Sequence, residues 1–527
     1  MKQFMKSSMT AIFLVAIATT TVLTTVIAAP APPSISHKVE GQNLSISWTK
    51  VPRATSYTLH YAPYPYTGPE SINQIELPRG TTAVSYELWD GAAYYFAVTS
   101  SDPQGESDYS NIEHFAVGTP PGVEEPETPE VEEPETPAVE EPEIPVVEEP
   151  AGVTTTKLVD TALQECYNAT QSISCPNVGG DFYGQDAQYS GLTPSYRNNN
   201  DGTVTDLNTG LMWQQNPGDK MTYATAVNAT SASTLGGYSD WRLPTIKELY
   251  SLMRFDGVTG MSEADSTPYI DTDYFDFSYG DTSVGERMID AQYLTSTFYV
   301  STTMNGDETL FGVNFADGRI KGYGTTDPRS GAGKTFFVLM VRGDEGYGVN
   351  TFVDNSNGAI SDLATGLMWR QNDSGSGMNW QDSLDYCEEM SDSGYSDWRL
   401  PNAKELQGIV DYTRSPATTN SAAIDPMFNV SSITDEGGGS NYPFYWTSTT
   451  HLDGLNKGEM AAYIAFGEAL GWMQGQSGNY ELLDVHGAGC QRSDPKIGDP
   501  DDYPYGFGPQ GDVRRIYNHV RCVRNIE

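Results

Sequence analysis

One stretch of sixteen residues occurs twice in the chain and constrains the fold more than any other feature. GYSDWRLPTIKELYSL (237–252) returns as GYSDWRLPNAKELQGI (394–409), and the eight residues from glycine to proline are identical. DLNTGLMWQQN (206–216) likewise returns as DLATGLMWRQN (362–372), with nine of eleven positions shared. Because both motifs recur in the same order at nearly the same spacing, the C-terminal part of the chain is predicted to contain one domain twice.

The residues of the repeated motif are predicted to be scaffold rather than an active site. In both copies a good helix-capping residue precedes glutamate by three positions, which is the spacing of a capping box. The preceding proline prevents the helix from extending backwards. The aspartate before each tryptophan, Asp240 or Asp397, is expected to pair with the arginine that follows it. The predicted structural residues are Trp213, Trp241, Arg242, Thr245 and Glu248 in copy one, and Trp369, Trp398, Arg399, Asn402 and Glu405 in copy two.

Three segments are predicted ahead of the repeat. Lysines before an apolar run predict an export signal over residues 1–28. Alternation with period two predicts a β-sandwich over residues 30–118. Residues 119–152 contain twelve Glu and nine Pro without Lys or Arg, which predicts an extended linker. Copy one is then expected over 153–345 and copy two over 346–527, with about thirty extra residues before its closing strand. The expected sandwich core is Trp48, Tyr57, Leu88, Tyr94, Phe96 and Val98.

The charge of the chain limits its partners. It carries 29 Lys+Arg against 70 Asp+Glu, a formal net charge of −41. Such a field repels nucleic acid and anionic lipid, so we expect no nucleic-acid partner. After signal cleavage no stretch is apolar enough to insert into a membrane. The expected location is therefore extracellular, secreted or at the cell surface, with the periplasm as the alternative.

Five cysteines in an exported chain predict two disulfides and one free thiol. Cys166 and Cys175 are nine residues apart and are expected to pair. Cys387 and Cys522 both lack a cysteine counterpart in copy one, and this joint absence favours a bridge between them. Cys490 is then the free thiol, with Cys490–Cys522 as the alternative pairing.

Metal and catalytic patterns are weak in this sequence. The loops NDGTVTDL (200–207) and NSNGAISDL (355–363) suit hairpin turns better than calcium loops, because the glycine comes one position early for an EF-hand. We expect no cofactor, with calcium at these loops as the alternative. His486 with Cys490, and His519 with Cys522, have zinc-like spacing, but the last two would point to opposite faces of a strand. No nucleophile elbow, phosphate loop or dinucleotide fingerprint occurs, and we expect no enzyme activity.

Several separated motifs resemble a known family. TGLMW, GYSDWRLPTIKEL, YWTST and VRCVR are similar to the C-terminal domain of collagen-like bacterial adhesins of the Lcl type. RLPTIKEL is also similar to a stretch of formylglycine-generating enzymes, which implies a C-type-lectin-like core. The sandwich pattern resembles a fibronectin type III domain. The resemblance implies a multidomain fold: an N-terminal all-β fibronectin type III sandwich, followed by two α+β C-type-lectin-like repeat domains.

We therefore expect a secreted or cell-surface binding protein that recognises a glycan or surface polymer. The best-understood adhesin relative binds sulfated polysaccharides through basic surface, but this acidic chain argues against such ligands. The resemblance also implies oligomers. The alternatives are a structural protein of an extracellular matrix or surface appendage that binds protein partners, and a glycan-modifying enzyme. Contacts are expected where the copies diverge, in segments rich in aromatic residues. The expected ligand-binding residues are Tyr442, Tyr445, Trp446, Trp472 and Tyr480.

Overall fold

The structure is a computed structural model in which the chain forms two units, Met1–Ile144 and Pro145–Glu527. The described residues of the first unit are 30, 33, 35–40, 42–63, 73–77, 80–88, 92–102, 105–107, 109–110 and 113–116. Those of the second are 156–526 except 305, 328–329, 455 and 476–477. The predicted export signal and Glu/Pro-rich linker lie outside these residues. None of the helices described is both long enough and apolar enough to cross a membrane.

The first unit is a β-sandwich. One sheet has the order β1-β2-β5; in the other, β3 pairs with β4 and β6, and β6 also pairs with β7 and β8. Strand β2 alternates exposed and buried residues, so one face of its sheet packs against the other sheet. Trp48, Tyr57, Phe96 and Val98 are buried in the shared core, with Tyr94 packed against its edge. The strands are β1 Ile35–Glu40, β2 Asn43–Trp48, β3 Ser56–Pro63, β4 Asn73–Leu77, β5 Ala83–Glu87, β6 Ala93–Asp102, β7 Gly105–Glu106 and β8 Glu113–Ala116.

The second unit mixes short helices with antiparallel strands. Before and within copy one the elements are β9 Cys166–Tyr167, β10 Ser172–Ile173, β11 Tyr196–Asn198, β12 Thr203–Asp206, β13 Met212–Gln214, α1 Tyr223–Ser231, α2 Ile246–Ser251, β14 Gln292–Thr303, β15 Asp307–Asn314, β16 Arg319–Gly324 and β17 Val341–Arg342. In copy two they are β18 Phe352–Asp354, β19 Ala359–Asp362, β20 Leu367–Arg370, α3 Trp380–Glu388, α4 Ala403–Gly408, α5 Pro416–Thr419, β21 Ile433–Thr434, β22 Ser440–Asn441, β23 Phe444–His451, β24 Met460–Ala465, β25 Leu470–Gln474, β26 Tyr480–Asp484, β27 Gln491–Pro495 and β28 Val523–Asn525.

Both capping boxes predicted from the repeated motif are present. Thr245 caps α2 and Asn402 caps α4, and the glutamate of each box accepts from the backbone N–H of its capping residue. The four repeated tryptophans are buried in the core. The motif is therefore scaffold, because its tryptophans pack inside the unit and its polar residues satisfy the helix ends.

The expected ion pairs of the motif are wrong in one respect. Asp240 and Asp397 do not pair with the arginines of the motif. Each binds an arginine of the closing strand instead, with Oδ1 to Nε distances of 2.7 Å to Arg342 and 2.7 Å to Arg524. The arginines of the motif turn towards the helix and bind its capping glutamate through both terminal nitrogens. The closing strand completes a four-stranded sheet in each copy, β11-β12-β13-β17 and β18-β19-β20-β28.

The two copies form one unit, although the repeat by itself suggests two separate domains. They share a six-stranded sheet of order β14-β15-β16-β27-β24-β23, joined where Ile320 pairs with Gln491. Strand β27 comes from the longer connection of copy two, residues 475–522. It lies beside β24 in the place that β16 takes beside β15, and β25 pairs with β26 in a separate two-stranded sheet. The extra residues of copy two therefore supply the strand that joins the copies.

The contact between α2 and α4 repeats itself about an approximate two-fold axis. Lys247 Nζ donates to the carbonyl oxygen of Gly408 at 2.7 Å, and Lys404 Nζ donates to that of Ser251 at 2.8 Å. Lys247 and Lys404 occupy the same position of the repeated motif, as do Ser251 and Gly408. Each copy thus uses the same patch to bind the other, which is the defining property of an isologous interface.

The segment 156–195, predicted as the start of copy one, packs against copy two. The Asp186 carboxylate accepts hydrogen bonds from Thr161 at 2.8 Å and from Thr449 of copy two at 2.6 Å. Burial raises the pKa of Asp186 to about 7. The Tyr189 hydroxyl donates to the carboxylate of Glu388, also in copy two. The segment that precedes the first strand of copy one therefore packs against copy two.

Candidate functional site

One surface of the second unit is a cleft of about 540 Å³ in copy two. The long connection of copy two (residues 475–522) builds much of its wall, and copy one contains no segment of that length in the same place. The cleft is therefore a feature of one copy and not of the repeat. We call it the aromatic cleft and define it by Glu436, Phe444, Trp472, Tyr503, Arg514 and Arg515.

The floor of the aromatic cleft is held by stacked and paired side chains. Phe444 stacks on Tyr463 with ring centroids 4.5 Å apart, and the Arg515 guanidinium lies 3.9 Å from the Phe444 ring centroid. Glu436 accepts from Arg515 Nε at 2.9 Å. A guanidinium held between a ring and a carboxylate keeps its orientation.

Trp472 of the β25–β26 hairpin lines one side of the cleft. Trp472 on β25 packs edge to face with Tyr505, at a centroid distance of 6.2 Å. Tyr480 on β26 stacks on Tyr505 at a centroid distance of 4.1 Å. The backbone of the long connection comes very close here, since a Cβ on Gly511 would lie 2.2 Å from the Trp472 carbonyl oxygen. Only glycine at this position, where φ is +62°, lets the loop pair with β25.

Arg514 also lines the cleft, and its guanidinium lies against aromatic rings of the long connection. It lies 3.7 Å from the ring centroid of Phe507 and 4.8 Å from that of Tyr503. Among the described residues it makes no ion pair. Tyr505 and Phe507 are more than half exposed, so aromatic rings beside the cleft face solvent.

The structure places the five predicted ligand residues in three locations. Trp472 lines the cleft and Tyr480 lies beside it, both packed against Tyr505. The prediction for Tyr445 and Trp446 is wrong, because both are buried: Tyr445 donates to Asp373 at 2.6 Å and Trp446 Nε1 donates to the Met378 carbonyl at 2.9 Å. They lie on β23, which is buried along its whole length. Tyr442 is partly buried, and its carbonyl accepts from Arg515.

Sequence reasoning missed the aromatic residues of the long connection, of which Tyr503 lines the cleft and Tyr505 and Phe507 lie beside it. Tyr503, Tyr505 and Phe507 alternate with proline and glycine in YPYGFG (503–508), shortly before Arg514 and Arg515. Aromatic residues between turn residues, in a segment that only one copy contains, are the signal that could have identified them.

The structure contains the two disulfides favoured by the sequence, Cys166–Cys175 and Cys387–Cys522. Cys387 lies on α3 and Cys522 directly precedes β28, so the second bridge ties a helix to the closing strand. Cys490 is a buried free thiol, and burial raises its pKa to about 12. A thiol held protonated in this way is a poor nucleophile and a poor metal ligand.

No group of three or more His, Cys, Asp or Glu side chains is arranged to hold a metal in the part of the chain that the structure describes. The two candidate calcium loops are hairpin turns, β11–β12 and β18–β19. In the first, the Asp201 carboxylate accepts from the backbone N–H and hydroxyl of Thr203. His486 is hydrogen-bonded to Asp512, whereas His519 lines the aromatic cleft, where burial lowers its pKa. The candidate zinc residues therefore do not converge.

A β-sandwich followed by an α+β unit with internal two-fold symmetry defines a multidomain protein built from a duplicated module. The family model described as the Lcl C-terminal domain matches residues 202–342 and 358–483, slightly more than half of the chain. The chain belongs to the Lcl C-terminal domain family. Such domains indicate a bacterial surface- or adhesin-associated protein.

Similar solved structures match 17% of this chain. The FN1–FN3 domains of chicken CNTN1 are 19% identical with a TM-score of 0.16, and the match spans only 32% of that chain. A structure titled "Myokine structure" is 16% identical, with a TM-score of 0.15 and 99% of that chain covered. A computer-based redesign of a β-sandwich protein is 14% identical, with a TM-score of 0.15 and 95% covered. No curated protein matches the sequence.

Proposed function

We propose that this protein is a secreted or cell-surface binding protein whose aromatic cleft takes a saccharide unit of a glycan or surface polymer. The observation that supports this most is the aromatic group of Trp472, Tyr480 and Tyr505, of which Trp472 lines the cleft beside Arg514 and Arg515. Ring faces stack on the apolar faces of sugars, and oriented polar groups select their hydroxyls. The proposal assigns binding without catalysis.

The fold supports the same proposal in a more general way. Each copy packs short capped helices against antiparallel strands, and we propose that this core is C-type-lectin-like. Binding residues are disproportionately carried by long loops on a rigid scaffold. The long connection of copy two is such a segment, whereas the corresponding connection in copy one is far shorter.

The proposal implies one binding site per chain. Two equivalent lectin domains would give avidity within one chain, but the aromatic cleft belongs to copy two alone. Multivalent binding would then need several chains, and the high effective concentration of linked sites would come from oligomers. The net charge of −41 further favours a neutral or cationic ligand over a polyanionic one.

The test is a glycan and polysaccharide array with the mature full-length chain, run with calcium and again with EDTA. We expect binding in both conditions, because the described residues of the cleft offer polar and aromatic groups but no metal cluster. Trp472→Ala and Tyr505→Ala should each weaken binding at least tenfold, the loss expected from removing one well-packed aromatic contact of about 1.4 kcal/mol or more.

The matched control is Tyr238→Ala, which removes a partly exposed aromatic residue of copy one and should leave binding unchanged. Array binding that survives both cleft substitutions would place the ligand elsewhere and refute this site. A blank array, together with specific capture of a surface protein, would favour the structural alternative instead.

A further inference from the structure

The Lys247 amine contacts copy two and the segment that leads into it. Its Nζ donates to the carbonyl oxygens of Gly408 at 2.7 Å and Gly348 at 2.9 Å, and to the side-chain Oδ1 of Asn350 at 3.0 Å. Lys247 lies on α2 of copy one, whereas Asn350 lies just ahead of the first strand of copy two. An amine and a carboxamide from distant parts of the chain are therefore held in contact.

A carboxylate holds the other end of the same amide. Asn350 Nδ2 donates to Asp362 Oδ2 at 2.8 Å, and Asp362 is fully buried. The second oxygen of Asp362 accepts from the backbone N–H of Thr351 at 2.8 Å, which fixes the orientation of the carboxylate. Amine, amide and carboxylate thus form one hydrogen-bonded series.

The three hydrogen bonds of Nζ are those of the protonated amine, which must lose a proton before it can react. Burial lowers the pKa of Lys247 to about 8, and the nearby Asp362 and Asp411 only partly counter this effect. A substantial fraction of the amine is therefore neutral at mildly alkaline pH, and the neutral form is the nucleophile. Nζ is 3.0 Å from Oδ1 of Asn350 and therefore close to the Cγ that carries this oxygen, and such proximity accelerates intramolecular reactions.

We propose that Lys247 and Asn350 form an intramolecular isopeptide bond, with Asp362 transferring the proton. Lys247 Nζ attacks Cγ of Asn350 to give a tetrahedral intermediate. The Asp362 carboxylate takes a proton from the attacking nitrogen and delivers one to Nδ2. The Cγ–Nδ2 bond then breaks and ammonia leaves, so one amide replaces another. The step needs no oxidant, metal or cofactor.

The chain contains a matched site that should not react. Lys404 occupies the same motif position, and its Nζ donates to the backbone carbonyls of Ser251 and Asp160, each at 2.8 Å. Asp206 is the counterpart of Asp362, but the counterpart of Asn350 is Pro194, which offers no amide. Both symmetry-related sites thus contain the amine and the carboxylate, but only the site of Lys247 contains the carboxamide.

The bond would have a mechanical consequence. It would tie α2 of copy one to the beginning of copy two across a sequence separation of 103, and a covalent link of that span restricts the unfolded chain strongly. The copy two disulfide already ties its α3 to its closing strand. Copy one contains no cysteine between residues 196 and 343, so this link would be its covalent support.

The experiment is mass spectrometry of the purified mature full-length chain after incubation at mildly alkaline pH. We expect an intact mass lower by one ammonia than the sequence requires with two disulfides formed. In a tryptic digest, the peptide 243–254 should remain uncut after Lys247 and be joined to the peptide 343–370, which contains Asn350. Lys247→Arg and Asp362→Asn should each restore the full mass and the two linear peptides.

Lys404→Arg is the control, and it should retain the loss of ammonia because Lys404 occupies the site that lacks the carboxamide. The proposal is overturned if the wild-type chain keeps its full mass and yields linear peptides cut after Lys247. It is equally overturned if ammonia is lost but the joined peptides do not contain Lys247. Both results come from the wild-type chain, so they do not depend on whether a variant folds.

Discussion

Copies one and two share a scaffold but differ in the chemistry of their third long strand. On β16, copy one carries Arg319 and Lys321; at the equivalent positions of β25, copy two carries Leu470 and Trp472. Strand β16 stays in the shared sheet, whereas β25 is excluded from it because β27 pairs with β24. The inserted strand β27 thus takes the place in the sheet that β25 would otherwise occupy. Strand β25 lies outside this sheet, and its Trp472 lines the aromatic cleft.

The charged strand of copy one also lines a cleft, of about 780 Å³, but its cations already have partners. Lys321 Nζ lies 2.6 Å from the Asp317 carboxylate, and Arg319 is paired with Asp317 and Asp453. Asp453 belongs to copy two, so its pair with Arg319 joins the copies. Partly buried charges that satisfy one another favour a role in holding the copies together over ligand binding.

The largest effect is expected from making copy two resemble copy one at its disulfide. Replacing Cys387 by Thr and Cys522 by Met introduces the residues that copy one has at these positions. Because the bridge closes a sequence separation of 135, its loss should cost about 2–5 kcal/mol. Urea unfolding of the second unit measures the change. A reductant should lower wild-type stability much more than that of the variant; equal midpoints without reductant would contradict the prediction.

A smaller effect, a dependence of the free energy of unfolding on pH, is expected from the buried amine of Lys404. Burial lowers its pKa to about 7, below the value of 10.5 for an exposed lysine. Between these values the unfolded chain binds a proton that the folded chain does not, so the free energy of unfolding should rise with pH by at most about 1.4 kcal/mol per unit. In Lys404→Met this part of the slope should vanish. Urea unfolding between about pH 7 and pH 9 tests this, and parallel wild-type and variant curves would refute it.

Much of the scaffold could be predicted because it depends on local residue patterns. Capping boxes, hairpin turns and the sandwich strands follow from short-range spacing, and comparison of the copies identified Cys387 with Cys522. The sheet shared by the two copies could not be predicted. Its pairing of β16 with β27 requires that β27, and not β25, lies beside β24. Nothing local in β25 indicates that it leaves the sheet.

The candidate site was only half predictable for the same reason. Trp446 and Trp472 are both aromatic residues in divergent segments, yet Trp472 lines the cleft and Trp446 lies in the core. Period-two alternation assigns a face only when one side of a strand is exposed. Strand β23 is buried on both faces, so its aromatic residues carried no information about the surface.

A still smaller effect is expected from the hairpin glycines, which occupy the same position in both copies. Gly202 and Gly358 have φ values of +86° and +91°, where a side chain is strained. Gly202→Ala and Gly358→Ala should each lower the free energy of unfolding by about 1 kcal/mol. Thermal unfolding measures both. A much larger loss of stability in one copy would contradict the prediction, because it would show that the two hairpin turns are not structurally equivalent.

The smallest effect concerns calcium at these same turns. In copy one the Asp201 carboxylate is already engaged by Thr203, and in copy two the Asn357 amide oxygen accepts from the N–H of Ala359. Because these oxygens stabilise the turns themselves, adding calcium or EDTA should leave the thermal midpoint unchanged. Asp201→Asn, which keeps an acceptor for Thr203, is the matched variant. A rise in the midpoint with calcium that this variant abolishes would show that the turn binds the ion and that the two hairpins differ in function, since copy two has asparagine where copy one has Asp201.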